Sequence, residues 1–220
     1  MPEGLTVLIL AGGRSSRMGQ DKLWVPLGEE GVPLIQLVVA RVLPLAGEVI
    51  FSANASERFE VLASQLRGQG VPSQVVSDLH PGAGPLAGLH AGLIAARFEL
   101  LLAVAGDMPF VDPALVAHMV ELMPGFDVVI PQLPHPRTGE LVKEPLHALY
   151  QRSCLGAVAA RLVAGDRSMI SLLPDVRVRS VLPDEIRRLD PDFRSFFNVN
   201  TPEDWRAAER LLAGKPSGVA

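Results

Sequence analysis

Short apolar runs alternate with amphipathic ones almost from the start of the chain. Leu5 to Leu10 is apolar except for Thr6 and has the length of a strand. Leu34 to Leu45 carries apolar residues at helical spacing behind Pro33, a residue favoured at helix starts. Glu48 to Ala53 predicts a second strand, and Ser56 ahead of Glu57 predicts the cap of a helix running to Leu66. Ser73 to Ser77 reads as a short strand ending at Asp78, and Pro85 to Ala96 as a helix. Leu100 to Ala105 is a wholly apolar strand, Asp112 a cap for a helix to Met123, and Asp127 to Pro131 another strand. This alternation predicts an α/β fold, doubly wound, with a mostly parallel sheet and helices on both faces. Ligands of such sheets lie beyond the carboxyl ends of the strands.

The rhythm loosens after that. Gln132 to Lys143 holds three prolines and a glycine, which predicts an irregular excursion or a short hairpin. Ala148 to Ala164 contains a helix, Asp175 to Val181 alternates like a strand, and Asp190 to Ser195 is loop-like. Phe196 to Val199 is expected as a short final strand. Thr201, Pro202 and Asp204 then form the signature of a capped helix reaching Leu212. Residues 1–213 are expected to form one domain, with 214–220 as a disordered tail.

Composition narrows the function classes. A chain of 220 residues with 48% hydrophobic content can fill one substantial α/β core. No apolar run reaches the length of a membrane span, and the rapid entry into a strand predicts no secretory leader. One cysteine, Cys154, makes no internal disulfide and suits a reducing, cytoplasmic setting. A net charge of −4 argues against broad nucleic-acid binding. The histidines 80, 90, 118, 135 and 147 lack zinc-ligand spacing, and no G-x-S-x-G elbow occurs.

The candidate chemistry gathers at strand ends. The first strand runs into Gly12 and Gly13, then Arg14, Arg17 and Lys22, one of three lysines in the chain. Glycines that admit close backbone approach, followed by cations, suit polyphosphate. The loop is neither of two familiar kinds: Leu23 follows Lys22 where a Walker loop needs Ser or Thr, and adjacent glycines break the G-x-G-x-x-G pattern. Ser52 and Asn54 follow the second strand, and Asp78 ends the third ahead of Gly82-Ala83-Gly84-Pro85. Asp78 reads either as an acceptor for a base or ribose or as a turn former. Gly106-Asp107-Met108-Pro109 follows the most apolar strand. With Asp112 better placed as the helix cap, Asp107 is free to ligate a hard cation such as Mg²⁺, which takes few carboxylates and fills its shell with water and phosphate. Asn198 and Asn200 flank Val199 just before Thr201 and read equally as contacts for a second substrate or metal shell and as an Asx-turn.

These segments also carry a resemblance. LAGGRSSRMGQDK, beginning at Leu10, resembles the L-A-G-G-x-S-x-R-M-G-x-D-K signature of nucleotidyltransferases with the nucleotide-diphospho-sugar-transferase type of fold. GPLAGLHAGL from Gly84, GDMPF from Gly106 and NVNTPEDW from Asn198 resemble the matching motifs of the molybdenum cofactor guanylyltransferases. The resemblance implies Mg²⁺-dependent transfer of GMP from GTP to the terminal phosphate of molybdenum-bearing molybdopterin, with release of pyrophosphate. It implies a nucleotide turn of Leu10, Ala11, Gly12 and Gly13, with Lys22 and Arg17 on the phosphates. It further implies Asp78 on the guanosine, Asp107 on Mg²⁺, and Asn198 and Asn200 toward the pterin or the reacting phosphates. Some family members have Asn where Ser52 stands, so Asn54 or the Ser52 hydroxyl is the expected substitute contact. Transient contacts with proteins that make or accept the cofactor are also implied. The alternative is a CTP-dependent molybdopterin cytidylyltransferase or a related sugar- or alcohol-phosphate nucleotidyltransferase. Gly12 and Met108, where cytidylyl relatives tend to read L-A-A-G and G-D-Q-P, favour guanine.

Overall fold

The structure is a computed structural model that describes residues 4–12, 22–53, 57–79 and 82–214. Its strands are β1 (Thr6–Leu10), β2 (Pro26–Leu27), β3 (Val32–Pro33), β4 (Glu48–Ser52), β5 (Ser73–Val76), β6 (Leu100–Ala105), β7 (Val128–Pro134), β8 (Leu141–Lys143), β9 (His147–Gln151) and β10 (Val178–Val181). Its α-helices are α1 (Leu34–Val42), α2 (Glu57–Gly68), α3 (Pro85–Ala95), α4 (Pro113–Glu121), α5 (Leu155–Val163), α6 (Pro183–Arg187) and α7 (Pro202–Leu212). The main sheet has the order β10-β7-β9-β6-β1-β4-β5, with β8 added to β7, while β2 and β3 form a separate two-stranded ribbon.

The pairings β5–β4, β4–β1, β1–β6 and β7–β10 are parallel. Only β9, between β6 and β7, and the short β8 run against the rest of the main sheet. Alternation along β1 shows why both faces carry helices. Val7 and Ile9 enter a core with α1, α2 and α4, while Leu8 enters a second core with α3 and α5. The mostly parallel α/β architecture read from the sequence is the one observed.

Local chemistry explains the element ends. Asp112 Oδ1 accepts from the Ala114 N–H at 2.7 Å and caps α4, as its position suggests. Thr201 Oγ1 accepts from the Asp204 N–H at 3.1 Å, and Asp204 Oδ2 accepts from the Thr201 N–H at 2.8 Å, a reciprocal box at the start of α7. The expected cap Ser56 lies outside the described residues, as do residues 215–220 of the expected tail.

One expectation is corrected and two are made exact. The helix expected within Ala148 to Ala164 is α5, which begins at Leu155, while Ala148 to Gln151 belongs to strand β9. Phe196 to Val199 is no strand: Arg194–Phe196 is a 3₁₀ turn tied down by Asp190, whose two carboxylate oxygens accept from the Arg194 and Ser195 N–H groups at 2.9 and 2.8 Å. Of the two readings of Gln132 to Lys143, the short hairpin is the one observed, its first arm being the end of β7. Among the described residues no helix is long and apolar enough to cross a membrane.

Candidate active site

Parallel pairing brings the carboxyl ends of β1, β4, β5 and β6 to one rim. Backbone hydrogen bonds extend the sheet past its formal ends. The Ala11 N–H donates to Ser52 O at 3.0 Å, and the Gly106 N–H donates to Leu10 O at 3.0 Å. The Ala53 N–H donates to Val76 O at 3.0 Å. Leu10, Ala11, Ser52 and the Gly106-Asp107 turn are therefore one connected edge. Gly12 continues from it, and among the described residues a Cβ built there would have only Ser52 O within 4 Å, at 3.8 Å. Gly13, Arg14, Arg17 and Asn54 lie outside the described residues.

Lys22 closes this edge. Its ammonium donates to Asp107 Oδ2 at 2.6 Å, to the Val199 carbonyl at 3.0 Å and to Asn200 Oδ1 at 2.8 Å. The Lys22 and Asp107 side chains are 15% and 16% exposed, so the pair is largely shielded yet still open to a ligand. A protonated lysine has three N–H donors, and these three acceptors match them. Asp107 is in turn anchored to the final loop, since the Val199 N–H donates to Asp107 O at 3.0 Å. The sequence placed Lys22, Asp107 and Asn200 in three separate segments; the fold brings them to one point. Asn198 behaves differently, its Nδ2 donating back to Phe196 O at 3.1 Å in a local turn.

Ser52 and Asp78 form a second contact, with Ser52 Oγ donating to Asp78 Oδ1 at 3.3 Å. Sequence reasoning named both residues but not their link, which the parallel β4–β5 pairing makes. Behind them α3 starts at Pro85 from Gly84, whose φ of 70° is a conformation glycine adopts without strain. Trp24, two residues after Lys22, packs with its ring 5.1 Å from that of Phe59, edge to face.

Sequence reasoning missed His147, which is wholly buried at the same rim, opposite Val104 of β6. Its ring lies 4.7 Å from Phe196, and neither ring nitrogen meets a hydrogen-bond partner among the described residues. Burial holds its pKa down at about 4, although the Asp190 carboxylate and the Ser195 backbone pull the other way. A lone histidine in an apolar stretch gives no sequence signal of this kind. Glu144 lies between β8 and β9, its N–H donating to Pro131 O at 2.9 Å, and burial raises its pKa.

The arrangement fits a hard divalent cation. Three oxygens of different kinds, a carboxylate, an amide and a backbone carbonyl, already surround one positive charge, the Lys22 ammonium. Among the described residues no cluster of three or more His, Cys, Asp or Glu side chains could cage a metal unaided. One carboxylate with neutral oxygens is the donor set of an ion that shares its shell with water and phosphate.

Together the parallel sheet, the glycine turn and the strand-end aspartate define an α/β protein of nucleotidyltransferase architecture. The chain belongs to the family described as the MobA-like NTP transferase domain, whose pattern it matches over residues 7–180. A probable molybdenum cofactor guanylyltransferase of Pelotomaculum thermopropionicum is 39% identical over 213 residues, covering 97% of this chain and 96% of the relative. One of Chloroflexus aggregans is 34% identical, covering 93% of each chain. Among solved structures, the molybdopterin-guanine dinucleotide biosynthesis protein A of Archaeoglobus fulgidus superposes with a TM-score of 0.76 at 30% identity, covering 95% of this chain and 99% of its own. The 2-C-methyl-D-erythritol 4-phosphate cytidylyltransferase of Thermus thermophilus has the same fold, with a TM-score of 0.68 at 21% identity over 94% of this chain and 98% of its own.

Proposed function

We propose that this chain transfers GMP from GTP to the terminal phosphate of molybdenum-bearing molybdopterin and releases pyrophosphate. The observation that carries the reading is the 2.6 Å contact between Lys22 and Asp107, which joins the loop after the glycine turn to the GDMP loop. The relatives that match along nearly their whole length, named as probable molybdenum cofactor guanylyltransferases, point the same way.

The chemistry is dominated by charge. The α-phosphorus of GTP and the acceptor phosphate are both parts of anions, so their repulsion has to be screened before in-line attack. Lys22, and Arg17 from the same segment, supply fixed positive charge for the triphosphate and the departing pyrophosphate. Gly12 and Gly13 give the phosphates close access to the backbone. Asp107, with Asn200 Oδ1 and the Val199 carbonyl, would hold Mg²⁺, whose Lewis acidity would lower the charge on the phosphate oxygens. Leu10, Ala11, Ser52, Asn54 and Asp78 are assigned to the nucleoside, the Ser52–Asp78 hydrogen bond fixing the orientation of a carboxylate acceptor. Asn198 belongs with the second substrate only through its place beside Val199 and Asn200. No covalent enzyme intermediate is needed, because the acceptor phosphate is ionised at neutral pH.

Residues 1–213 act in this reading as one catalytic unit, supported by a single main sheet spanning Thr6 to Val181. The lone Cys154, buried and unpaired, is compatible with a cytoplasmic site of action. The test is pyrophosphate release with molybdopterin present, comparing GTP with CTP at equal concentration. GTP is expected to prevail by at least about tenfold, a discrimination that one or two well-placed hydrogen bonds supply. A wide preference for CTP overturns the guanine assignment.

A further inference from the structure

Helix α3 is built against helix propensity. It holds Gly88 and Gly92 in its interior, and both are buried. Glycine is among the poorest helix formers, so two of them four residues apart on one face call for a packing reason. A Cβ built at Gly92 would lie 2.5 Å from Leu8 Cδ2, 2.8 Å from Cδ1 and 3.1 Å from Cγ, inside the core below the rim. A Cβ built at Gly88 would overlap Leu10 Cδ2 and stand 2.8 Å from Ser52 Oγ, at the rim itself. The two glycines permit the same close approach of helix to sheet at two depths. The deeper one faces a mid-strand leucine, and the shallower one faces the strand ends.

Ser52 joins several parts of that edge. Its carbonyl accepts from Ala11, and its hydroxyl donates to Asp78. We propose that Gly88 is a positioning residue for nucleotide binding: the missing side chain at 88 is what lets the Ser52 hydroxyl face Asp78 and the Leu10 side chain stay clear of the base site. The proposal rests on the assignment of Leu10, Ser52 and Asp78 to the nucleoside. The atoms that a Cβ at 88 would displace are the ends of a leucine and a serine side chain, which can rotate aside. Gly88→Ala is therefore expected to fold, and the rotation itself is the damage: the hydroxyl leaves Asp78. At Gly92 the branch point of a buried leucine is in the way, so Gly92→Ala strains the core without reaching the rim.

The two substitutions should cross. Gly92→Ala is expected to lower the melting temperature more than Gly88→Ala while leaving the Kd for GTP within about twofold of wild type. Gly88→Ala is expected to raise the Kd and the KM for GTP about tenfold, with kcat changed much less, because orientation of a binding contact is lost and no reacting group is. Titration calorimetry with GTP and with CTP, paired with thermal melts of wild type and both variants, reads the pattern. Wild-type GTP affinity in Gly88→Ala, or affinity losses in both variants that merely follow their melting temperatures, overturns the proposal. A wild type that binds CTP and not GTP overturns the guanine assignment instead, and the same two ratios then decide the role of Gly88 on CTP. A wild type that binds neither nucleotide overturns both.

Discussion

The two ends of the main sheet both bury carboxylates, and they use them in opposite ways. At the amino end, Glu48 is 2% exposed and engaged from three sides. Thr6 Oγ1 donates to its Oε2 at 3.0 Å, the Arg97 N–H to the same oxygen at 2.9 Å, and Gln74 Nε2 to Oε1 at 3.2 Å. Asp127, at the same end, accepts from the Arg177 backbone, Nε and Nη2, each at 2.9 Å, and these bonds hold its pKa down at about 2. At the carboxyl end, Asp107 Oδ2 accepts from one lysine, and among the described residues no donor meets Oδ1. A carboxylate with donors on both oxygens has its acceptor capacity taken up. One with an oxygen left over keeps capacity for an incoming charge. In the proposed mechanism that difference, more than burial, divides scaffold from machinery.

Four experiments would break or sharpen this contrast. The largest effect is expected from Asp107→Ala, which should slow pyrophosphate release by about a hundredfold to a thousandfold, the range for losing one element of charge stabilisation. A rate within about tenfold of wild type would remove Asp107 from the machinery. Glu48→Ala removes the shared acceptor of three donors at the other end, of which Gln74 Nε2 keeps Ala95 O as a second partner, and should destabilise the fold by about 3 kcal/mol in a denaturant titration. GTP affinity should not change, and a loss of affinity without loss of stability would erase the division between the two ends. Lys22→Ala should weaken GTP binding by about 1.5–3 kcal/mol, the worth of a charged hydrogen bond. Unaltered affinity in calorimetry would make Lys22 a structural partner of Asp107 and nothing more.

The smallest effect concerns His147. Its folded pKa of about 4 lies below the ordinary histidine value of 6.5, so between those values the unfolded chain binds the extra proton. Stability conferred by the neutral ring is full above pH 6.5 and declines as pH falls toward 4. At pH 5 the loss is about 2 kcal/mol, since each pKa unit is worth about 1.4 kcal/mol. Denaturant midpoints of wild type and His147→Phe at pH 7 and pH 5 should show a shallower pH dependence in the variant. Equal slopes would mean that the ring is hydrated or paired in solution.

Much of this was legible in the chain. Strand β6 is six apolar residues followed by glycine and aspartate, a pattern with few other readings, and the mostly parallel sheet followed from the alternation of strands with helices. Asp107 was visible as a carboxylate between glycine and Met-Pro after an apolar strand, Lys22 as one of three lysines following paired glycines and two arginines, and Asn200 as an asparagine just before a helix cap. Their meeting at one ammonium was not visible, since it depends on a loop that returns after Val199, far along the sequence. Strand β9 went unread ahead of the helix because HALYQ is short and buried, and a buried strand shows no period of two. Glu48 drew no attention because its three partners come from separate segments, Thr6, Gln74 and Arg97. The role argued for Gly88 needed coordinates, because a glycine in a helical pattern announces a close neighbour without naming it.

Strand β9 runs against both of its neighbours, β6 and β7, in a sheet that is otherwise almost wholly parallel. Its amino end therefore arrives at the rim where the other strands finish, delivering the 144–147 turn from the opposite chain direction. Chain leaving the sheet and chain entering it thus meet along one rim. In the proposed mechanism, insertions or exchanges in the hairpin ahead of β9 would alter that rim while leaving Leu10 to Gly12 and the GDMP loop in place. One reversed strand would give the scaffold a second approach to its site, independent of the first.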